Sequence, residues 1–537
     1  MRKISTLVIG LLFYNLIWCQ QDRNILPQST QFPESFSPNI QQIVLPPILV
    51  EDAKKLDIED DKKGHLSKFA RPIACNIKLT NSGSWTEMPD GGRVWRIKVI
   101  SAGALGLLAS IDSLYLPEGC TLHFYMPGKE EVFGAYTSYN TPEIRAFSCG
   151  VIHGESFVAE FYEPVYQRGK GLFAMSSIDY AYRWVDPLNA DEKSGSGSCE
   201  VNVACPEGNN WRNQIRSVMR LMVFDTLGAG YCSGALVNNV RQDCTPYVLS
   251  AGHCTDDGIT TASFYQRWQF LFNYQAATCN GTTGPTNDVV TGCKMVSFAN
   301  DEDGDRGSDL LLLQLINPVP AGFNVYYSGW DTTNTPALSG VGIHHPEGDI
   351  KKISTYTAPA VDSSWTDSIS NTHWQIIWAP TADGWGISEP GSSGSPMYNQ
   401  NGYIVGHLTG GSSCCDTGAC NGGGLPTGPD LFGKITYDWT SNGPTPNYQL
   451  KPWLDPDNTG TAQLAGMNGT CTDSLRLDIG VYQISVPNGK VCGLPFKPVI
   501  TIRNFGTTTV TSAKISYSFD NGALTTQSWG GTLEPGG

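Results

Sequence analysis

The sequence is short of charge. Only 16% of its residues are Asp, Glu, Lys or Arg, against about 25% in an average globular protein. Acids outnumber bases by 50 to 35, a formal net charge of −15. That balance excludes a general nucleic-acid binder, which needs a basic face to neutralise phosphates. Long apolar runs are also missing. Apart from residues 4–18, no segment comes near the ~20 residues needed to cross a bilayer, so no membrane span is expected. There is no sustained helical period and no internal repeat, which excludes coiled coils and collagen-like arrays.

What is present points to exported, β-rich domains. Glycine accounts for 59 of 537 residues, above the usual ~7%, and 40% hydrophobic with 10% aromatic residues supply ample core. The length exceeds one ordinary domain of roughly 100–200 residues. Sixteen cysteines are too many to ignore in a cytosolic chain and too dilute for a small disulfide-knot scaffold. Met1-Arg2-Lys3 followed by the mostly apolar residues 4–18 reads as a secretory signal peptide. Trp18 before Cys19 is too bulky for a lipoprotein processing site. Export puts the other cysteines in an oxidising space, where pairing is the default.

Along the chain we expect a signal peptide over 1–20, a pro-segment over 21–193, a main domain over 194–467, and a linker with a partial immunoglobulin-like sandwich over 468–537. Residues 21–70, rich in Pro, Gln and acids, read as an exposed leader. From about 71 to 164, alternating segments such as 94–100, 121–126 and 157–162 predict a small β-sandwich. The polar run 191–198 suits proteolytic nicking, and Lys193 is its only basic residue. In the last segment Ile515, Tyr517 and Phe519 share a strand face, and Asn521-Gly522 is a hairpin signal. Fewer residues remain there than the ~100 a complete sandwich takes.

Three short stretches of the main domain carry chemistry together. Leu249-Ser250-Ala251-Gly252-His253-Cys254 ends an apolar strand in a histidine. Gly307-Ser308-Asp309-Leu310 delivers an aspartate at the mouth of a buried strand. Pro390-Gly391-Ser392-Ser393-Gly394-Ser395-Pro396 is a glycine-rich turn presenting a serine. Each alone is weak. A serine hydroxyl, however, becomes nucleophilic only when an imidazole takes its proton, and that imidazole needs a carboxylate to hold its tautomer and stabilise its cation. His253, Asp309 and Ser393 supply these parts, in the order of chymotrypsin-like proteases. Gly391 allows its own N–H and that of Ser393 to converge on a developing oxyanion. Leu408-Thr409-Gly410-Gly411 is expected to be the edge on which an extended substrate adds as a strand. The acidic run Asp301-Glu302-Asp303-Gly304-Asp305 lacks the spacing of an EF-hand and reads as a solvated loop; no metal and no cofactor are expected.

From about Ser198 to Asp457 the sequence resembles the secreted bacterial lysyl endopeptidases, a branch of the chymotrypsin-like serine proteases. The resemblance rests on Cys205-Pro206-Glu207-Gly208, Cys232-Ser233-Gly234-Ala235-Leu236-Val237-Asn238-Asn239, Gly252-His253-Cys254, Ser308-Asp309, Ile343-His344-His345-Pro346, Glu389-Pro390-Gly391-Ser392-Ser393-Gly394-Ser395-Pro396 and Trp453-Leu454-Asp455-Pro456. It implies an all-β, double β-barrel fold with the active site between the barrels. It also implies that His253, Asp309 and Ser393 form the triad and that Asp430 is the pocket carboxylate for a lysine ammonium. Trp365 matches an aromatic beside the pocket; its usual partner is a histidine, where this chain has Thr409. By the same resemblance Cys232 pairs with Cys254, Cys199 with Cys414, and Cys205 with Cys279, leaving Cys244, Cys293, Cys415 and Cys420 unassigned. The family is made as a precursor, and cutting between Lys193 and Ser194 suits the enzyme's own specificity.

The expected activity is therefore a secreted serine endopeptidase acting after lysine, with arginine secondary, on protein or peptide substrates and as a monomer. A catalytically silent, protease-like binding protein and an esterase are the competing readings. The complete triad opposes the first, and the Asp430 pocket opposes the second.

Overall fold

The computed structural model describes residues 25–62, 66–128, 131–141, 143–183, 195–255, 261–366, 368–415, 426–469, 479–486, 498–504, 509–517 and 525–534. The signal region, the Lys193-Ser194 junction, Cys420, Cys471, Cys492, Phe519 and Asn521-Gly522 lie outside them. The regular structure is mostly β. Residues up to Gly469 form one compact unit, and residues from Thr470 form a second.

The strand Leu310–Leu315 explains how the first unit is layered. Its near-continuous apolar run arises because both faces are covered. Leu311, Leu313 and Leu315 point into one core with Phe270, Val290 and Trp268. Leu310 and Leu312 point the other way, into a core shared with Val341, Ile343, Tyr398 and Ile404 of a second sheet. The strands Val218–Phe224, Ala229–Val237, Tyr247–Ala251, Gln269–Leu271, Val289–Thr291, Cys293–Phe298 and Leu310–Leu315 curl until the outermost two, Val289–Thr291 and Cys293–Phe298, are separated only by Gly292, a near-closed barrel. The second sheet of nine strands runs from Lys352–Tyr356 to Val361–Ser363. The site lies where these two sheets meet.

The N-terminal segment is not a separate sandwich. Its two sheets do enclose a core of Trp95, Ile97, Leu107, Ile111 and Phe173. One of them, however, continues into the barrel: Lys68–Lys78 pairs with Leu172–Ala181 and, at its start, with Ala229–Val237 through Ala229↔Ala70 and Gly230↔Lys68. The Lys68 ammonium donates to Asp225 Oδ2 at 2.5 Å, with both side chains buried. Phe69 stacks on Tyr231 with ring centroids 4.2 Å apart.

The segment expected to be an exposed leader contains regular structure. Gln42–Leu45 is a parallel strand on Arg93–Ser101, and Val50–Lys62 is a helix. The helix buries Ala53, Asp57 and Asp60, which follow the i, i+4, i+7 spacing of one face. Two of the three are acids, paired with Arg71 at 2.5 and 2.8 Å and, for Asp57, also with Arg183 at 3.1 Å, so no apolar period announces this helix.

In the second unit, Ile479–Val486 pairs with Val499–Asn504 and Val510–Tyr517 with Thr525–Leu533, as two separate hairpins among the described residues. Before it, Met467–Asn468 is still paired with Tyr326–Tyr327, so the chain remains bound to the first unit up to that point.

Candidate active site

The strand Tyr247–Ala251 lies between Ala229–Val237 and Leu310–Leu315, and Ala251 is opposite Leu310. His253 leaves the end of the first strand and Asp309 enters the start of its neighbour, so antiparallel pairing alone makes them adjacent. Asp309 Oδ1 accepts the His253 backbone N–H at 2.8 Å, and Oδ2 meets His253 Nδ1 at 2.8 Å. A Cβ on Gly252 would stand 2.9 Å from Asp309 Oδ1, so glycine is needed there. Asp309 is fully buried and has φ 62°, a left-handed conformation uncommon outside glycine and typical of functional sites. Burial pushes its carboxyl pKa up, but the neighbouring His253 outweighs this and holds it below the ordinary value.

Ser393 is brought to the same corner through its backbone. Its carbonyl accepts the Ser233 N–H at 2.8 Å. A Cβ on Gly394 would stand 2.2 Å from Ser250 Oγ and 2.7 Å from the Ala251 nitrogen, so the serine turn presses directly on the strand leading to His253. The Cys232–Cys254 disulfide joins the residue before Ser233 to the residue after His253. Within the turn, the N–H groups of Ser392, Gly394 and Ser395 donate to Glu389, Leu408 and Ser392 carbonyls at 2.9, 2.8 and 3.0 Å. Those of Gly391 and Ser393 have no acceptor among the described residues. Gly391 has φ 90°. Two unengaged donors flanking an engaged one is the arrangement an oxyanion requires.

Asp430 begins the strand Asp430–Lys434 and is fully buried. Its Oδ2 accepts from Trp378 Nε1, Ser388 Oγ and Ser413 Oγ at 2.6, 2.6 and 2.7 Å. Burial pushes its pKa up, and it has no cationic partner among the described residues. The adjoining strand Ile404–Gly411 pairs with Pro396–Asn399 only as far as His407, so Thr409, Gly410 and Gly411 have a neighbour on one side alone. A Cβ on Gly410 would stand 2.8 Å from the Trp365 ring. Trp365 does have an imidazole beside it, from another strand: the His373 ring is 6.3 Å away and its Nε2 bonds Thr409 Oγ1 at 3.0 Å. Burial lowers the His373 pKa to about 4, so this ring is neutral.

Two expectations are corrected. The Asp301 to Asp305 run is not merely solvated. Asp301 is buried, and its Oδ2 accepts the Asp309 N–H at 2.8 Å while Oδ1 accepts that of Gly304 at 3.0 Å. Burial, and then the Asp309 charge, push its pKa up to about 6. The second correction concerns Cys199, which pairs with Cys415 rather than Cys414. Ser413 is anchored on Asp430, and Cys415 packs in the same apolar cluster as Cys199. Cys205–Cys279 forms as expected, Cys244 and Cys414 are also disulfide-bonded, and Cys293 is free and buried. Close to the expected cut, the Gly197 N–H donates to both Glu389 oxygens at 3.2 and 3.0 Å, tying that stretch to the start of the serine turn.

Residues 194–424 match the lysyl endopeptidase C-terminal domain, and residues 69–147 match the lysyl endopeptidase N-terminal domain. The lysyl endopeptidase of Pseudomonas aeruginosa is 32% identical over 352 residues, which are 62% of this chain and 71% of the relative. This chain belongs to the lysyl endopeptidase family. Among solved structures, a thermostable serine protease from an extremophilic microorganism aligns with 43% of this chain and 98% of its own, at 16% identity and TM-score 0.30. As a lysyl endopeptidase homologue the chain is a serine endopeptidase, with family matches on both sides of the Lys193-Ser194 junction.

Proposed function

We propose that the chain is a secreted endopeptidase that hydrolyses peptide bonds on the carboxyl side of lysine, with His253, Asp309 and Ser393 as its triad. His253 takes the Ser393 hydroxyl proton as Oγ attacks the scissile carbonyl. Asp309, bonded to Nδ1, keeps the ring oriented and stabilises the imidazolium. The oxyanion is received by the Gly391 and Ser393 N–H groups. His253 then returns the proton to the leaving amine, and water repeats the sequence to release the acyl group.

The observation that carries the specificity is Asp430: a buried carboxylate that accepts from four neutral donors, three on Oδ2 and the Ser413 N–H on Oδ1, with no base beside it among the described residues. A lysine ammonium entering past Gly410 and Trp365 completes its shell as a compact charge with three donors of its own. The fold that goes with this reading is a double β-barrel, with the two terminal hairpins as part of an immunoglobulin-like module. The precursor is cut between Lys193 and Ser194 by the enzyme itself.

The test is mass-spectrometric profiling of a peptide library cut by the activated protein. Cleavage concentrated after lysine supports the pocket, and cleavage mainly after apolar residues overturns it. Ser393→Ala should leave the precursor uncut at Lys193 in pure form and abolish labelling by a serine-directed phosphonate.

A further inference from the structure

Asp309 has a second histidine near it. His407, in the strand Ile404–Gly411, meets Asp438, in the helix Ile435–Thr440, through Nε2 and Oδ2 at 3.0 Å, and both side chains are fully buried. Asp438 Oδ1 accepts from Ser308 Oγ at 2.5 Å and Asn442 Nδ2 at 3.0 Å. The carboxylate thus grips the residue just before Asp309. Gly433 leaves the space in which ring and backbone approach: a Cβ there would stand 1.9 Å from the Ser308 carbonyl oxygen and 2.9 Å from His407 Cε1.

The charges around this couple come from several elements. Asp438 faces His407 from the helix. Asp309 and Asp301 act on it from the loop before Leu310–Leu315, and His373 lies near it on the strand His373–Ile376. Burial disfavours the charged ring, yet Asp438 and the other two acids outweigh this and raise the His407 pKa. His407 in turn is among the groups that hold Asp309 ionised.

We infer that His407 and Asp438 form a second imidazole–carboxylate couple, in which His407 is a positioning residue: Asp438 holds Ser308 and hence Asp309 in register, and the His407 cation cancels the Asp438 charge so that Asp438 adds no further negative charge behind Asp309. The inference rests on the triad reading above. With the couple intact its net charge is zero. Removing His407 alone leaves a buried anion behind Asp309, which stabilises the His253 imidazolium. Removing both charges restores neutrality.

The test is the pH dependence of kcat/KM on a lysyl peptide, whose acid limb reports the free-enzyme base. His407→Gln should move that limb to higher pH by on the order of 0.5 to 1 unit, and His407→Gln with Asp438→Asn should return it close to the starting value. A fully active His407→Gln protein with an unmoved limb, or a double variant that fails to restore it, overturns the inference. As a measurement independent of how the variants fold, the His407 ring in the Ser393→Ala protein can be titrated by NMR. Protonation persisting above pH 6.5 supports the inference, and a ring neutral throughout pH 5–8 overturns it. Failure of the triad reading is distinguishable, because Ser393→Ala would then retain peptide cleavage.

Discussion

The backbone N–H of Asp309 donates to Oδ2 of Asp301 at 2.8 Å, so one buried acid holds another at φ 62°. Asp301→Ala leaves that N–H buried without an acceptor and should cost roughly 1–3 kcal/mol of stability, lowering kcat more than it raises KM. Asp301→Asn tests the charge. Because the folded pKa is raised from 3.8 to about 6, the group's contribution to stability is full below pH ~4 and lost as pH rises through 6. Between pH 4 and 7.5 the unfolding free energy of the Asn variant should therefore gain on the wild type by up to about 3 kcal/mol. Denaturant melts at the two pH values check this.

Asp430 accepts from four neutral donors and has no base beside it among the described residues. Asp430→Ser should lower kcat/KM on lysyl peptides by about a thousandfold, the usual cost of removing one partner of a buried charge pair. Labelling of Ser393 by a phosphonate should persist, since Asp430 is not among the groups that activate the nucleophile. Parallel titration and peptide kinetics separate the two effects.

Lys68 and Asp225 form a buried ion pair across the junction between the N-terminal segment and the barrel. Asp225 Oδ1 also accepts the Leu227 and Gly228 N–H groups at 2.7 and 3.0 Å. Lys68→Met strands the carboxylate and should destabilise the precursor by about 3–5 kcal/mol. Lys68→Met with Asp225→Asn keeps the two N–H bonds and should recover most of the loss. Urea unfolding of the uncut precursor in a Ser393→Ala background gives the comparison.

The Cys199–Cys415 pairing predicts a crosslinked peptide of those two residues in a non-reduced digest. Cys415→Ser should abolish it and cost about 2–5 kcal/mol, whereas Cys414→Ser should leave it intact. A Cys199–Cys414 peptide in the wild-type digest would contradict the structure.

The readable parts of the site are those with a local signal. His253 ends an apolar strand, Asp309 precedes four leucines, and Ser393 sits among glycines, so each is marked by its own neighbours. Asp301 bonds directly to the Asp309 backbone but lies in a run of acids that looks solvated, and only the folded loop turns it inward. His373 is invisible for another reason. It neighbours Trp365 from a strand that becomes adjacent to Thr409 only when Asp430–Lys434 pairs between them. The helix Val50–Lys62 escapes a reading by apolar period because its buried face is acidic.

Composition and local pattern are thus enough for β-rich architecture and for the motifs around His253, Asp309 and Ser393, because strand alternation and glycine turns act over a few residues, while the pairing of Cys232 with Cys254 is implied by the family resemblance. Which carboxylate supports Asp309, which cysteine of two neighbours meets Cys199, and whether the N-terminal sheet stands alone or continues into the barrel are decided by contacts between residues far apart in the chain. Burial is the physical reason. A buried charge must find its partner wherever the fold brings one, as Lys68 finds Asp225 and Asp438 finds Ser308 and His407.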